Sequence, residues 1–330
     1  MIRAAIFADM WALRRKPKRR IFFYNDALLA SSYHPFLLAL RTMLDPTGAS
    51  SDQKTLVMRD HGVHGFLQAR RRPNKSEVDL QYFATFGRRG QVHSSDGDIF
   101  FRLMEELLKR AAAHQTERVF ATLGARAADV AEVLRQLGFQ PYAQQSVWML
   151  AQPTIEAGSS MLALRRQHRR DLWAIHQLYC SITPRHVQMA EMRDSNSWQL
   201  SRTRPWFTGG AKGWVLGNDE ELTVHIALQT GARGHVLHVM IAPHLRHEAA
   251  AMVRYVLSQL HDQRPIFVVI RSYQSELGGA LDELGFVERG EQQIYVKQLA
   301  VFNRQPAFLP TLLGTEQGEG AMSISTLARH

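Results

Sequence analysis

One cysteine, Cys180, is all that 330 residues supply, so the chain cannot close a disulfide on itself or clamp zinc between Cys pairs. That scarcity fits a reducing, cytoplasmic setting. Cys180 follows Leu178 and Tyr179 in a helical apolar pattern, which leads us to expect a buried thiol rather than a nucleophile. Long apolar runs are missing too. The nearest approach, residues 21 to 40, is interrupted by Asn25, Asp26, His34 and Pro35, so no transmembrane helix and no membrane partner are expected. The N-terminus places its apolar residues ahead of RRKPKRR, the reverse of a secretory signal. GxxxxGK(S/T), GxGxxG after a strand, GxSxG and HExxH are all absent, so P-loop, dinucleotide-fold, serine-hydrolase and zinc-protease chemistry have no signature.

Acidic residues are the scarcer charge: 30 Asp and Glu face 40 Lys and Arg, leaving +10. Such an excess favours polyanionic partners without choosing among nucleic acid, an acidic surface and a phosphorylated small molecule. The 45% apolar content suffices for two cores, and the length suits two domains.

A repeat supports that division. LRQLGF at 134 to 139 recurs as LDELGF at 281 to 286, and the strand-like RVFATL (118 to 123) recurs as PIFVVI (265 to 270) at the same spacing of 147. Upstream, Phe100, Leu103, Met104, Leu107, Leu108 and Ala111 step as one helical face, as do Ala249, Met252, Val253, Val256, Leu257 and Leu260. Each LGF is expected to stop a helix, its Gly taking a left-handed conformation and its Phe folding back onto the core. Three antiparallel strands precede each helix, with turns expected at Asp60 to Gly62 and at Asn218 and Asp219. The reading is therefore an α/β chain of two copies, each a mixed sheet flanked by helices. Residues 1–152 form the first, 153–160 a linker, 161–302 the second, and 303–330 a mobile tail.

This order of elements, with LGF closing the last helix, resembles the GNAT superfamily of acyl-CoA-dependent N-acyltransferases, in tandem. LALRRQHRRDLWAIHQLY is similar to the family's opening strand and helix. VMIAPHLRHEAAAMVRYVL resembles its central strand, turn and helix with the (R/Q)xxGx(G/A) motif. The physics of that element is general: a helix N-terminus offers unpaired amides and a positive dipole end for a diphosphate, and small side chains allow close approach. The resemblance implies an acetyl-CoA or other acyl-CoA site in the second copy. Val239, Met240 and Ile241 would receive the cofactor arm, Arg246, His247, Glu248, Ala249, Ala250 and Ala251 would form the diphosphate turn, and Gln274 would replace the family's Asn. Ala249 departs from the expected Gly, and Glu248 adds an opposing charge.

In the first copy the small-residue positions become Phe100 and Arg102, with Asp96 and Asp98 expected as caps, so no cofactor is expected there. The basic Gly loop GRRG at 87 to 90 could hold an anion, although it reads first as a plain solvated turn. The family's acidic Tyr is Leu134 in one copy and Leu281 in the other, and Ala127 stands at the Asn position of the first. Tyr273 offers a substitute acid or a packing residue. By the register of the family's histone-modifying members, the general base is His235. His238 faces the opposite side of its strand, and His244 and His247 lack a third ligand, so no metal is expected.

Three functions remain in view. One is an N-acyltransferase acting on an unidentified amine of a small molecule or protein, with the second copy carrying the site. Another is a non-catalytic CoA sensor or scaffold. The third is nucleic-acid binding through RRKPKRR (14 to 20), ARRRP (69 to 73) and RRQHRR (165 to 170), which read instead as solvated faces. His176, Arg185 and Glu191, in the region where the family selects acceptors, read as surface. Oligomeric state stays open, although two copies could pack together as a homodimer does.

Overall fold

Repeated LGF phrases end their helices as the spacing requires. A computed structural model describes residues 1–9, 11, 14–23, 26–30, 34–44, 53–59, 63–72, 75–86, 95–153, 164–200, 210–218 and 220–300. Gly138 and Gly285 take φ of 81° and 79°. Behind each, the Phe amide reaches the carbonyl five residues back (Phe139 to Leu134, Phe286 to Leu281, both 3.0 Å), and the Gly amide reaches the carbonyl three back. This double closure satisfies the last carbonyls and delivers Phe139 and Phe286 into the two cores.

The first half contains β1 (Ile2–Ala4), β2 (Arg19–Phe22), α1 (Asp26–Ala30), α2 (Pro35–Leu44), β3 (Gln53–Arg59), β4 (Val63–Arg71) and β5 (Glu77–Thr85). It continues with α3 (Asp96–Ala113), β6 (Arg118–Gly124), α4 (Ala128–Gln136) and β7 (Gln140–Leu150). The second contains β8 (Arg165–Arg166), α5 (Leu172–Ile182), α6 (Arg185–Glu191), β9 (Ala211–Gly217), β10 (Leu222–Thr230) and β11 (His235–Ile241). After it come a 3-10 segment (Pro243–Glu248), α7 (Ala249–Ser258), β12 (Ile266–Arg271), α8 (Leu277–Glu283) and β13 (Val287–Gln298). Both halves run three strands, helix, strand, helix, strand. The periodic faces of α3 and α7 are buried as their spacing requires. The segments 154–163 and 301–330, the GRRG loop, residues 60–62 and Asp219 lie outside the described residues.

All the described strands join one sheet, in the order β1-β3-β4-β5-β6-β13-β7-β12-β11-β10-β9-β8, with β2 added on β5. The final strands are exchanged. β13 lies against β6 of the first half, and β7 lies against β12 of the second, while the two pair with each other at the centre. Tyr295 of β13 accordingly packs in the first core, and Trp148 and Leu150 of β7 pack against the second.

Both halves have a wedge where a parallel pair separates. β5 and β6 pair only from Glu77 opposite Arg118 to Asp79 opposite Phe120. β11 and β12 pair only from His235 opposite Ile266 to Leu237 opposite Val268, although the strands run on to Ile241 and Arg271.

Candidate functional site

The two wedges differ in what fills them. In the first half β2 lies antiparallel along β5, Arg19 opposite Thr85 through Phe22 opposite Tyr82. Main-chain bonds from Lys18 to Thr85 and from Phe23 to Gln81 extend the contact. Phe23 is fully buried and stacks on Phe100 at 6.0 Å, and Arg19 pairs with Asp129 of α4. The chain's own backbone thus takes the edge of β5 that a ligand arm would need. The cap of α3 is Ser95, whose hydroxyl accepts the Asp98 amide; Asp96 and Asp98, expected as caps, instead meet Lys18 and Arg102.

In the second half no described strand enters the wedge, and a cavity of about 330 Å³ opens there. Val239 and Met240 of β11, Val269 of β12 and Gln274 line it, together with Tyr179, Trp198, His225 and His238. Gln145 on the exchanged β7 closes the side toward the first half. Gln274 ends a 3-10 turn after β12, is buried, and its Nε2 meets no partner among the described residues. A buried amide of this kind costs free energy unless a ligand meets it.

The turn expected to cradle a diphosphate is more tightly wound than its motif implies. Helical winding already begins at Pro243, and the Leu245 and Ala249 amides bond the Ala242 and Arg246 carbonyls. Fewer amides are bare than an opening at position 246 would provide. Arg246 donates to Glu276 at 2.7 Å, while its buried Nε meets no partner among the described residues. Ala249 and Ala250 are buried, Ala251 is half-buried, and His247 and Glu248 lie 3.6 Å apart at the outer side of the turn.

His235 does not fit the role of general base. It is 1% exposed, shares the strand face of Leu237, which belongs to the core under α7, and stands at the opposite end of β11 from Ile241. Its Nε2 contacts Asp262 at 2.7 Å and its Nδ1 contacts Thr230 at 3.3 Å. Asp262 is held in turn by Arg264. Those bonds tie the β10–β11 turn to the loop after α7. A proton acceptor has to be sought on the cavity face, where His225 and His238 stand. His225 Nε2 is 3.0 Å from the Gln167 amide oxygen, so it carries the proton and Nδ1 keeps its lone pair. That Nδ1 is buried and meets no partner among the described residues, and burial, reinforced by His238, brings the imidazole down to about 3.

Glu191, read from sequence as surface, is buried at the end of α6. Arg271 and Tyr142 donate to its Oε1 at 2.8 and 3.4 Å, and Tyr179 donates to Oε2 at 3.0 Å, where Arg193 also lies at 2.8 Å. Burial alone would push this carboxyl up, but Arg193 and Arg271 outweigh it and hold it at about 2. With its oxygens engaged, Glu191 is an organising anion and not a base. Tyr179, buried beside that carboxylate, is pushed up by burial and then by Glu191. Tyr273 lines the cavity and lies 3.5 Å from the Thr183 hydroxyl. Arg185 is exposed, and His176 stacks on Tyr179. Cys180, expected to be buried, is exposed, 3.8 Å from His176, because it falls on the outer side of α5.

Sequence reasoning missed His225, Arg193, Arg271 and Trp198. Each sits in a pattern that a surface helix or strand would share, and only the fold brings them together. The basic runs are partly absorbed internally: Arg72 pairs with Glu77 and Asp79, Arg165 with Asp171, and Arg166 lies over Trp214. Among the described residues no helix is long and apolar enough to cross a membrane, and no group of His, Cys, Asp and Glu could hold a metal.

No family model matches the chain, and no curated protein matches it. Solved structures do. A GCN5-related N-acetyltransferase from Sphaerobacter thermophilus aligns over 90% of this chain and 95% of its own, with a TM-score of 0.50 at 13% identity. A conserved protein of unknown function from Staphylococcus epidermidis aligns over 71% and 91%, at 0.49 and 10%. A tandem GNAT protein from the clavulanic acid biosynthesis pathway, solved without acetyl-CoA, aligns over 74% and 82%, at 0.43 and 14%. The fold is the GNAT fold, with its run of elements present twice.

Proposed function

We propose that this GNAT-fold chain is an acyl-CoA-dependent acyltransferase whose second half binds the acyl donor and whose first half is a structural partner. The observation that carries the reading is the open wedge between β11 and β12. Its strand edge at Val239 to Ile241 leads directly into the Pro243–Glu248 turn and α7, and the orphaned amide of Gln274 faces the same cavity. An extended thioester arm would add to that edge as a strand does, with Arg246 and the turn at the diphosphate end. Arg246 is tethered to Glu276, and a diphosphate would compete with that carboxylate for it.

Acyl transfer to an amine forms an N–C bond and breaks the C–S bond, and the amine loses a proton while the departing thiolate takes one. The cavity wall offers His238 to take the amine proton, while the buried His225 ring, held neutral, can only help position the amine. Leu281 is buried in the core, so the hydroxyl that family members use near the sulfur is missing, and Tyr273 is the phenol closest to taking its place.

The test is calorimetric titration with acetyl-CoA and with CoA, followed by assay of free thiol over a panel of amines. One bound equivalent, abolished by Arg246→Glu, together with thiol release, supports the transferase. Binding of one equivalent with no turnover on any amine supports the second reading, a CoA sensor, which the burial of both Leu134 and Leu281 favours. No heat with either nucleotide sinks both.

A further inference from the structure

The wall of the same cavity points to the chemistry of the acceptor, an inference that rests on the reading of the wedge as the acyl-donor site. Among the described residues Glu191 is the carboxylate that lines the cavity, yet its side chain is 5% exposed, whereas Arg193 and Arg271 are 35% and 18% exposed and both line the cavity. The anion sits behind its two cations. Its oxygens already serve Arg193, Arg271, Tyr142 and Tyr179, so it has little left to offer an entering ammonium group.

The charges farther from the cavity pair among themselves. Behind Glu191, Arg72 is bound to Glu77 and Asp79, and Arg118 to Glu77. Arg118 also lies 4.0 Å from Glu117, so among the described residues of this network four guanidiniums (Arg72, Arg118, Arg193 and Arg271) face four carboxylates (Glu77, Asp79, Glu117 and Glu191), and the cationic excess lies at the cavity wall, where Arg193 and Arg271 face Glu191 alone. Lys75 and Asp194 stand nearby with opposite charges, which leaves that balance unchanged. His225 faces the cavity as a neutral ring. Arg193 also lies over two rings, 5.2 Å from the Trp198 centroid and 5.6 Å from that of Tyr179. A guanidinium held against two rings and pinned by one ion pair presents its remaining N–H groups as a ready fork for a planar anion.

We propose that the acceptor is a small amine that also carries a carboxylate, an amino acid or a close analogue, with the carboxylate seated on Arg193 and Arg271. The amine then points along the cavity toward the wedge. A volume of about 330 Å³, shared with the acyl end of the donor, fits a single small molecule. Polyamines and other polycations meet guanidinium N–H where they need a carboxylate, so they are excluded by the same wall.

The test needs no variant at first. The twenty common amino acids, their carboxamides and spermidine are titrated into the protein saturated with CoA, and separately into the protein alone. At least one amino acid is expected to bind at least tenfold tighter than its own carboxamide, with spermidine not binding. Arg271→Gln and, as a milder change, Arg193→Lys should erase that preference while acetyl-CoA still binds. Equal affinity for acid and carboxamide, tight binding of spermidine, or binding of no amino acid would overturn the proposal. Failure of acetyl-CoA to bind overturns the underlying acyltransferase reading instead, and the acid-to-carboxamide comparison on the protein alone still decides the carboxylate site.

Discussion

Gln145 donates through Nε2 to Gln292 Oε1 at 2.7 Å, and the two residues are each other's counterparts in the repeat, 147 positions apart. They stand directly opposite in the β7–β13 pair, so the local two-fold relating the halves passes between them. Both are buried. Removing one leaves the other's polar group without its partner, which costs about 1–3 kcal/mol, whereas replacing both by apolar residues of similar size leaves nothing unsatisfied. Gln145→Leu and Gln292→Leu should each lower the urea midpoint, and the double variant should recover a substantial part of the loss. Strict additivity in that cycle would show that the pair does not act as a unit.

The exchanged final strands make the halves depend on each other. Residues 1–152 alone leave β6 without β13, and residues 161–302 alone leave β12 without β7. Each fragment then carries a long unpaired strand edge in the middle of what should be a sheet, a recognised route to aggregation. Neither fragment should be a soluble, folded monomer, and co-expression should give a one-to-one complex. Size-exclusion chromatography with circular dichroism checks this; two independently folded fragments would contradict the exchange.

Filling of the first wedge by β2 bears on stoichiometry. Phe23 anchors that segment against Phe100, so Phe23→Ala should cost about 3–5 kcal/mol as a buried aromatic truncation. Phe100 still occupies the helix start where small residues would be needed, so the variant should bind no more acetyl-CoA than the parent. A second equivalent in calorimetry would mean that β2 was masking a working site.

Much of this architecture was legible in the sequence because it rests on local rules. The apolar faces of α3 and α7 follow the helical period, and the LGF stops follow from the left-handed glycine and the returning phenylalanine. The strand partners were not legible, since alternation tells a residue which face it takes but not which neighbour it pairs with. That is why β7 and β13 could trade places unnoticed. RRKPKRR followed by IFF likewise reads as a basic surface before an apolar stretch, and nothing local says that its end lies along β5. The site divides in the same way. The helix after β11 was visible through Pro243 and the alanines, whereas His235 looked free until Asp262, far along the chain, was seen at its ring. Glu191 looked exposed because its partners Arg271 and Tyr142 come from β12 and β7.

His225 gives the chain a specific acid sensitivity. The folded state holds this imidazole neutral down to about pH 3, whereas in the unfolded chain it takes up a proton near pH 6.5. Between those values the unfolded state binds more protons, so stability falls as pH falls, by about 2 kcal/mol from this residue alone at pH 5. Glu191 acts later and in the same direction. Its carboxyl, held at about 2 when folded, is protonated in the unfolded chain near the ordinary carboxylate value, so its contribution is complete above about pH 4.5 and disappears toward pH 2. Urea denaturation of the parent should therefore show a decline beginning below pH 6.5. His225→Gln keeps an amide able to meet Gln167 while removing the titration, and should flatten the curve between pH 6.5 and 4.5 but leave the steeper fall below it. An unchanged curve would mean that the ring is protonated in the folded cavity, and would return His225 to the set of groups that can carry a charge beside the acceptor.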